Sequence, residues 1–171
     1  MATFIVTVIG EDRPGLVSAL SAPINAHDAS WMRSQMSRLA GKFAGIVLVS
    51  VADDRFDALA ADLAALEAEG LQVTLERTDE PAQHAPVRLQ LDLLGADHPG
   101  IVAEVSAALA EHDVSIEELT TDVRDAPMAG GTLFEAHAVL AAPPATDTGT
   151  LGAVLEQLAD ELMVEIRLSE D

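Results

Sequence analysis

Hydrophobic and polar positions along the chain fall into two periods. The first apolar stretch, "TFIVTVI" (Thr3–Ile9), is dense enough for a buried strand. After "GEDRPG", Leu16, Leu20, Pro23 and Ile24 recur at helical spacing. Pro14 suits the first helical turn, where a missing N–H costs nothing, and Pro23 is expected to shorten or kink the helix late in its course. Ala29–Leu39 and Lys42–Ala52 then read as two strands joined at a Gly41 turn, the second rich in branched residues ("FAGIVLVSV"). "RFDALAADLAALEAEG" places Phe56, Leu59, Leu63 and Leu66 on one helical face and ends on Gly70 as a C-terminal cap. Leu71–Arg77 closes the series as a strand.

The same series then repeats. "VIGEDRPGLVSAL" from Val8 returns as "LLGADHPGIVAEV" from Leu93, an offset of 85 residues. Gly10, Asp12, Pro14, Gly15 and Val17 match Gly95, Asp97, Pro99, Gly100 and Val102. "NAHDAS" (Asn25–Ser30) lies over "AEHDVS" (Ala110–Ser115) at the same offset. Around that anchor, "VRLQLDLL" alternates as a strand from Val87, and Ile101, Val105, Ala108 and Leu109 keep helical spacing. Ser115–Asp125 and Thr132–Ala141 are paired strands joined by "APMAGG". Leu151, Val154, Leu155, Leu158 and Leu162 mark a helix, and Met163–Leu168 a last strand. Two copies make a duplicated domain rather than a solenoid. The expected boundaries are 1–79 for the first domain, 80–86 for a linker ("TDEPAQHAP" is polar with two prolines), and 87–171 for the second. Each copy runs β-α-β-β-α-β, the α+β ferredoxin-like arrangement, with an antiparallel sheet carrying two helices on one face. The other face must be covered or polar, a reason for such units to pair.

Composition narrows the function. Apolar residues make up 49% of 171, which excludes wholesale disorder, while aromatic residues are 3%, so the cores are aliphatic. The absence of cysteine excludes disulfides, thiolate metal sites and cysteine nucleophiles. No apolar run reaches the roughly 18–20 residues of a membrane span. "MATFIVTVIG" reads as a strand rather than a signal peptide, so a cytoplasmic protein is expected. The formal net charge is −20, with 12 acidic and 6 basic side chains in residues 1–86, and 17 acidic and 3 basic in residues 87–171. Such a chain repels nucleic acid and anionic membranes, so no direct contact with either is expected. A basic protein partner or plain solubility accounts for the charge.

The repeated loop is the main candidate for chemistry. A phosphate-binding loop would need more glycines and a Lys-Ser/Thr pair, but Leu-Val and Ile-Val follow here. Two readings of Asp12 and Asp97 stay open: each caps its own helix, or each accepts from a ligand ammonium while helix N-terminal amides at Gly15 and Gly100 face a carboxylate. Arg13 and His98 occupy one repeat position and are expected to face solvent. His27 and His112 end the first helix of each copy, where an imidazole favours the helix dipole over a metal; no HxH or HExxH spacing occurs. Glu117, Glu118 and Asp122 read as a solvated strand face, not a convergent carboxylate pair. Arg33 and Arg38 alternate with Met32 and Met36, and Trp31 is expected on the opposite strand face. No nucleophile stands out, so no enzyme activity, metal or cofactor is expected.

A ferredoxin-like unit with Gly-x-Asp-x-Pro-Gly between its first strand and first helix resembles an ACT domain. Two in tandem resemble the glycine cleavage system transcriptional repressor group. That resemblance implies a regulatory, non-enzymatic protein whose loops hold a small ligand, an amino acid, at a domain interface. The implied ligand-binding residues are Gly10, Asp12, Pro14, Gly15, Gly95, Asp97, Pro99 and Gly100. In some relatives a polar residue stands where this chain has Gly10 and Gly95, which supply no side chain. The resemblance further implies a homodimer and a protein partner, a transcription factor, through which transcription is regulated. The alternative is a ligand-free interaction module whose Asp-x-Pro-Gly elements only cap helices.

Overall fold

The computed structural model describes residues 1–79, 86–128 and 130–171. The chain divides into two compact units, Met1–Ala82 and Gln83–Asp171. The expected linker, apart from Pro86, lies outside the described residues, as does His84.

The first unit runs β1 (Ala2–Glu11), α1 (Leu16–Ala26), β2 (Ser30–Leu39), β3 (Lys42–Val51), α2 (Phe56–Ala64) and β4 (Leu71–Arg77). The second runs β5 (Val87–Ala96), α3 (Ile101–Glu111), β6 (Ser115–Asp125), β7 (Thr132–Ala142), α4 (Thr148–Leu162) and β8 (Val164–Glu170). The sheets have the orders β2-β3-β1-β4 and β6-β7-β5-β8, with every neighbouring pair antiparallel. Because β1 and β2 both oppose β3, they run parallel to each other, and α1 is the crossover between them. α2 links β3 to β4 in the same way. Right-handed crossovers from one sheet put both helices on one face.

Strand alternation sets the cores. Phe4, Val6 and Val8 of β1 and Val47, Val49 and Val51 of β3 point to the helix face and are buried with Leu20, Leu59 and Leu63. Phe4 meets Phe56 edge-on at 5.1 Å between ring centres, and the Arg77 guanidinium lies 4.1 Å over the Phe56 ring. The second core uses Leu89, Leu91 and Leu93 against Leu109, Leu151 and Leu155. Each fully buried leucine contributes about 2 kcal/mol. Among the described residues no polar or charged side chain is buried, so the fold rests on aliphatic packing.

Four local expectations change. α1 continues through Pro23 to Ala26, so that proline does not end the helix. The second helix of unit one is α-helical only to Ala64; Ala65–Glu69 tightens into a 3-10 turn before Gly70, the left-handed C-terminal cap. Met163 is not in the last strand but caps α4 at φ 55°. A bulge between Trp31 and Arg33 re-phases β2, so Trp31 pairs with Val49 and Met36 with Gly45, and both pack against the helix-side core. Trp31 therefore shares a face with Met36, and its indole N–H donates to the Ser34 hydroxyl at 3.1 Å.

Candidate functional site

Each repeated loop leaves the central strand of its sheet and enters the first helix. Gly10 and Gly95 are the penultimate residues of β1 and β5, and the close approach of the neighbouring strand start explains why they are glycine. A Cβ on Gly10 would stand 2.8 Å from the Gly70 carbonyl oxygen and 2.9 Å from Leu71 Cδ2. On Gly95 it would stand 2.8 Å from Val164 Cβ. The strand that closes the sheet starts at these points, so the missing side chain lets two backbones approach.

The helices start from a Pro-Gly turn. α1 and α3 begin at Leu16 and Ile101, so Pro14 and Pro99 stand before the helix rather than in its first turn. Gly15 has φ 89° and ψ 3°, and Gly100 φ 96° and ψ −5°. These are the dihedrals of the third position of a type II turn, where proline favours the position before and only glycine is unstrained. The first helical bonds follow, from Ala19 N–H to the Gly15 carbonyl and from Glu104 N–H to the Gly100 carbonyl, both 2.9 Å.

Neither aspartate caps its helix. The N-terminal cap positions are Gly15 and Gly100, and neither helix receives a side-chain cap. The capping half of the alternative reading therefore fails: the turn, with its glycine left-handed, replaces the cap. Asp12 and Asp97 are held by their backbones instead, each N–H donating at 2.9 Å to the carbonyl of Gly41 and Thr132 respectively. The Asp12 carboxylate lies 3.3 Å from Arg38 Nη1, with 29% of its side chain exposed. The Asp97 carboxylate accepts no hydrogen bond among the described residues and lies near the His98 imidazole.

Arg13 and His98 do not simply face solvent. Arg13 Nη2 donates to the Glu69 carbonyl at 2.9 Å, and His98 Nε2 lies 2.9 Å from the Leu162 carbonyl. Both carbonyls end the second helix of their unit, where backbone acceptors lack helical partners. The loop is thus clasped to that helix end in both copies. His98 Nδ1 also lies 3.1 Å from the Pro99 carbonyl. Two carbonyls on one ring favour the imidazolium, which can donate from both nitrogens. The His98 pKa is raised, first by the Leu162 carbonyl and then by that of Pro99.

Two further features had weak sequence signals. Asp147 caps α4, accepting from Gly149 N–H at 3.0 Å, Thr150 N–H at 3.2 Å and the Thr150 hydroxyl at 2.8 Å. "TDTGT" is the local sequence that supplies this N-terminal cap. On the helix-free face of unit two, His137 Nδ1 lies 2.5 Å from Asp92 Oδ1, and Nε2 3.6 Å from Glu135 Oε1. Its pKa is raised, first by the Asp92 hydrogen bond. Strand register creates that cluster, so no sequence spacing announces it. His27 and His112 follow the last helical residues as expected; His27 Nε2 lies 2.6 Å from Asp62, and His112 Nδ1 2.9 Å from the Ala108 carbonyl. Among the described residues no three His, Asp or Glu side chains converge as a metal site.

Two ferredoxin-like units, each opening its first helix from an Asp-x-Pro-Gly turn, define a tandem regulatory module. The chain belongs to the ACT domain family, whose model matches residues 2–76 and 88–169. ACT domains are non-catalytic regulatory modules that bind small molecules and form oligomers. The chain is similar to the glycine cleavage system transcriptional repressors of Escherichia coli (strain K12) and Shigella flexneri. It is 24% identical to each over 162 residues, covering 92% of this chain and 84% of theirs. A solved structure of an unknown protein from Galdieria sulphuraria is 32% identical, covers 99% of this chain and 98% of its own, and superposes with a TM-score of 0.89. The structure of a candidate glycine cleavage system transcriptional repressor shares the fold, with a TM-score of 0.76 at 15% identity over 99% of this chain and 97% of its own. No helix among the described residues is long and apolar enough to cross a membrane.

Proposed function

We propose that this chain is an amino-acid-responsive regulator that acts through a partner protein. The observation that carries the reading is the duplicated loop in which neither aspartate is spent on its own helix. An α-amino acid presents a carboxylate suited to the open first-turn amides of α1 or α3 and an ammonium suited to Asp12 or Asp97. Gly10 and Gly95 serve the backbone approach, while Pro14, Gly15, Pro99 and Gly100 shape the turn that aims those amides. Similarity to the two bacterial repressors supports a role in transcriptional control of the glycine cleavage type. With a net charge of −20, that control runs through a transcription factor rather than through DNA contact, in the cytoplasm. Ligand shifts the protein between two states only by its differential affinity for them.

Thermal-shift titration against the common amino acids is the test. A ligand at 100 times its dissociation constant adds about 2.7 kcal/mol to stability. No shift with any amino acid at millimolar concentration would remove the ligand-sensing role. The reading as a ligand-free interaction module would then stand on the acidic surface alone.

A further inference from the structure

The two units fill the space between their second helix and their last strand differently. In unit one the first residue of α2 is Phe56, whose ring stands edge-on against the buried Phe4 ring and lies under the Arg77 guanidinium. Strand register fixes the equivalents in unit two. Phe4 pairs with Val49 and Arg77, while Leu89 pairs with Leu140 and Glu170, so Leu89 replaces Phe4 and Glu170 replaces Arg77. The first residue of α4 is Thr148, which precedes the buried Leu151 and Leu155 by the same spacing that separates Phe56 from Leu59 and Leu63. Thr148 therefore replaces Phe56. Both rings and the cation are absent together from this place in unit two. An open groove of about 270 Å³ stands there instead. It is lined by the buried Leu89 and Leu155, the half-buried Ile166 and Leu168, and Gly149 and Gly152 of α4. A Cβ on Gly152 would meet nothing within 4 Å. Glu156 and Glu170 also line the groove and are exposed, and neither carboxylate has a hydrogen bond or ion pair among the described residues.

We propose that this groove docks an aromatic side chain flanked by a basic one, carried on a segment of a partner protein. Unit one displays the complement within its own chain: the same corner of the fold holds a phenyl ring against the first strand with a guanidinium over it. In unit two the apolar walls suit such a ring, and the two unpaired carboxylates suit the cation beside it. The sign at the last strand is inverted, from Arg77 to Glu170, so here the cation has to come from the occupant. A second copy of this chain is a poor occupant, because each copy carries a net charge of −20 and the two repel. Aromatic and arginine side chains are also the ones that anchor protein interfaces in pockets. Docking of this kind rests on the proposed action through a partner protein, but it needs neither the Asp-x-Pro-Gly loops nor their ligand.

Nuclear magnetic resonance titration of the full isotope-labelled chain tests this, with the blocked peptide Gly-Ser-Phe-Arg-Ser-Gly added to millimolar concentration. Saturable shifts are expected at the amides of Gly149, Gly152 and Leu168, with those of Gly10 and Gly95 unmoved. Replacing the peptide's phenylalanine by alanine, or its arginine by glutamate, should weaken binding about tenfold or more. Thr148→Phe restores the ring of unit one, and Gly152→Leu fills the open space from a helical position that leucine favours over glycine. Each should abolish the shifts while the circular dichroism spectrum stays that of the wild type. Glu156→Gln combined with Glu170→Gln should weaken binding about fivefold. Absence of saturable shifts, binding indifferent to the peptide's phenylalanine or arginine, or shifts that persist in both filled variants would each overturn the proposal. These outcomes are independent of the amino-acid thermal shift, so loop and groove can fail separately.

Discussion

His98 Nε2 lies 2.9 Å from the Leu162 carbonyl oxygen and ties the loop before α3 to the end of α4. The equivalent tie in unit one, from Arg13 to the Glu69 carbonyl, uses a permanent cation. One copy of the clasp therefore titrates and the other does not.

The pH dependence follows from the raised His98 pKa. The protonated imidazole is favoured in the folded state, so its stabilisation is fully present below the unfolded value of about 6.5. It is lost as pH rises through the folded pKa. His98→Gln should lower the melting temperature at pH 5.5, and the gap to wild type should narrow toward pH 8.5. A gap independent of pH would assign the clasp to the neutral ring. His137, raised by Asp92, has the same sign, so the double variant should flatten the profile further.

Gly10→Ala and Gly95→Ala should each destabilise by about 1–3 kcal/mol through overpacking. The two differ in how they can be rescued. The Cβ at Gly95 meets a Val164 methyl as well as Val164 Cβ and Cα, so Val164→Ala removes only the methyl contact and should recover a small part of the loss. The Cβ at Gly10 meets the Gly70 carbonyl, which no side-chain trimming moves. Denaturant unfolding of the four variants distinguishes them.

Asp12→Asn and Asp97→Asn should leave stability within about 0.5 kcal/mol, because neither residue caps a helix and the Arg38–Asp12 pair is a surface one. In contrast, the same variants should abolish the thermal shift that an amino acid produces in the wild-type chain. Loss of stability without loss of ligand response would return these residues to a structural role.

Asp147→Ala should lower the melting temperature, since it removes the acceptor for Gly149 and Thr150 at the start of α4. The Asp147 pKa is lowered, first by the Thr150 hydroxyl and then by the backbone N–H groups of Thr150 and Gly149. A depressed carboxylate stabilises above its unfolded pKa and loses that contribution as pH falls through the folded one. The gap between wild type and Asp147→Ala should therefore close only in acid, below about pH 4.

Most of the fold was legible in the chain itself. Phe4, Val6 and Val8 declare a strand by alternation, and Leu59 and Leu63 declare a helix by spacing. The duplication at Gly10 and Gly95 marks the loop in the sequence alone. These are local properties: period, turn chemistry and a repeated string. What only the tertiary structure decided depends on which strands lie side by side. The Trp31 bulge turned that ring onto the core because β3 sets the register of β2. Asp12 was a plausible cap by sequence, yet the left-handed Gly15 placed the helix start beyond its reach. His98 found Leu162, 64 residues away, because the loop and the end of α4 converge where β8 joins β5. Residue types and spacings determine what each segment can form, but the partner of a loop side chain is set by sheet order, which no single segment encodes.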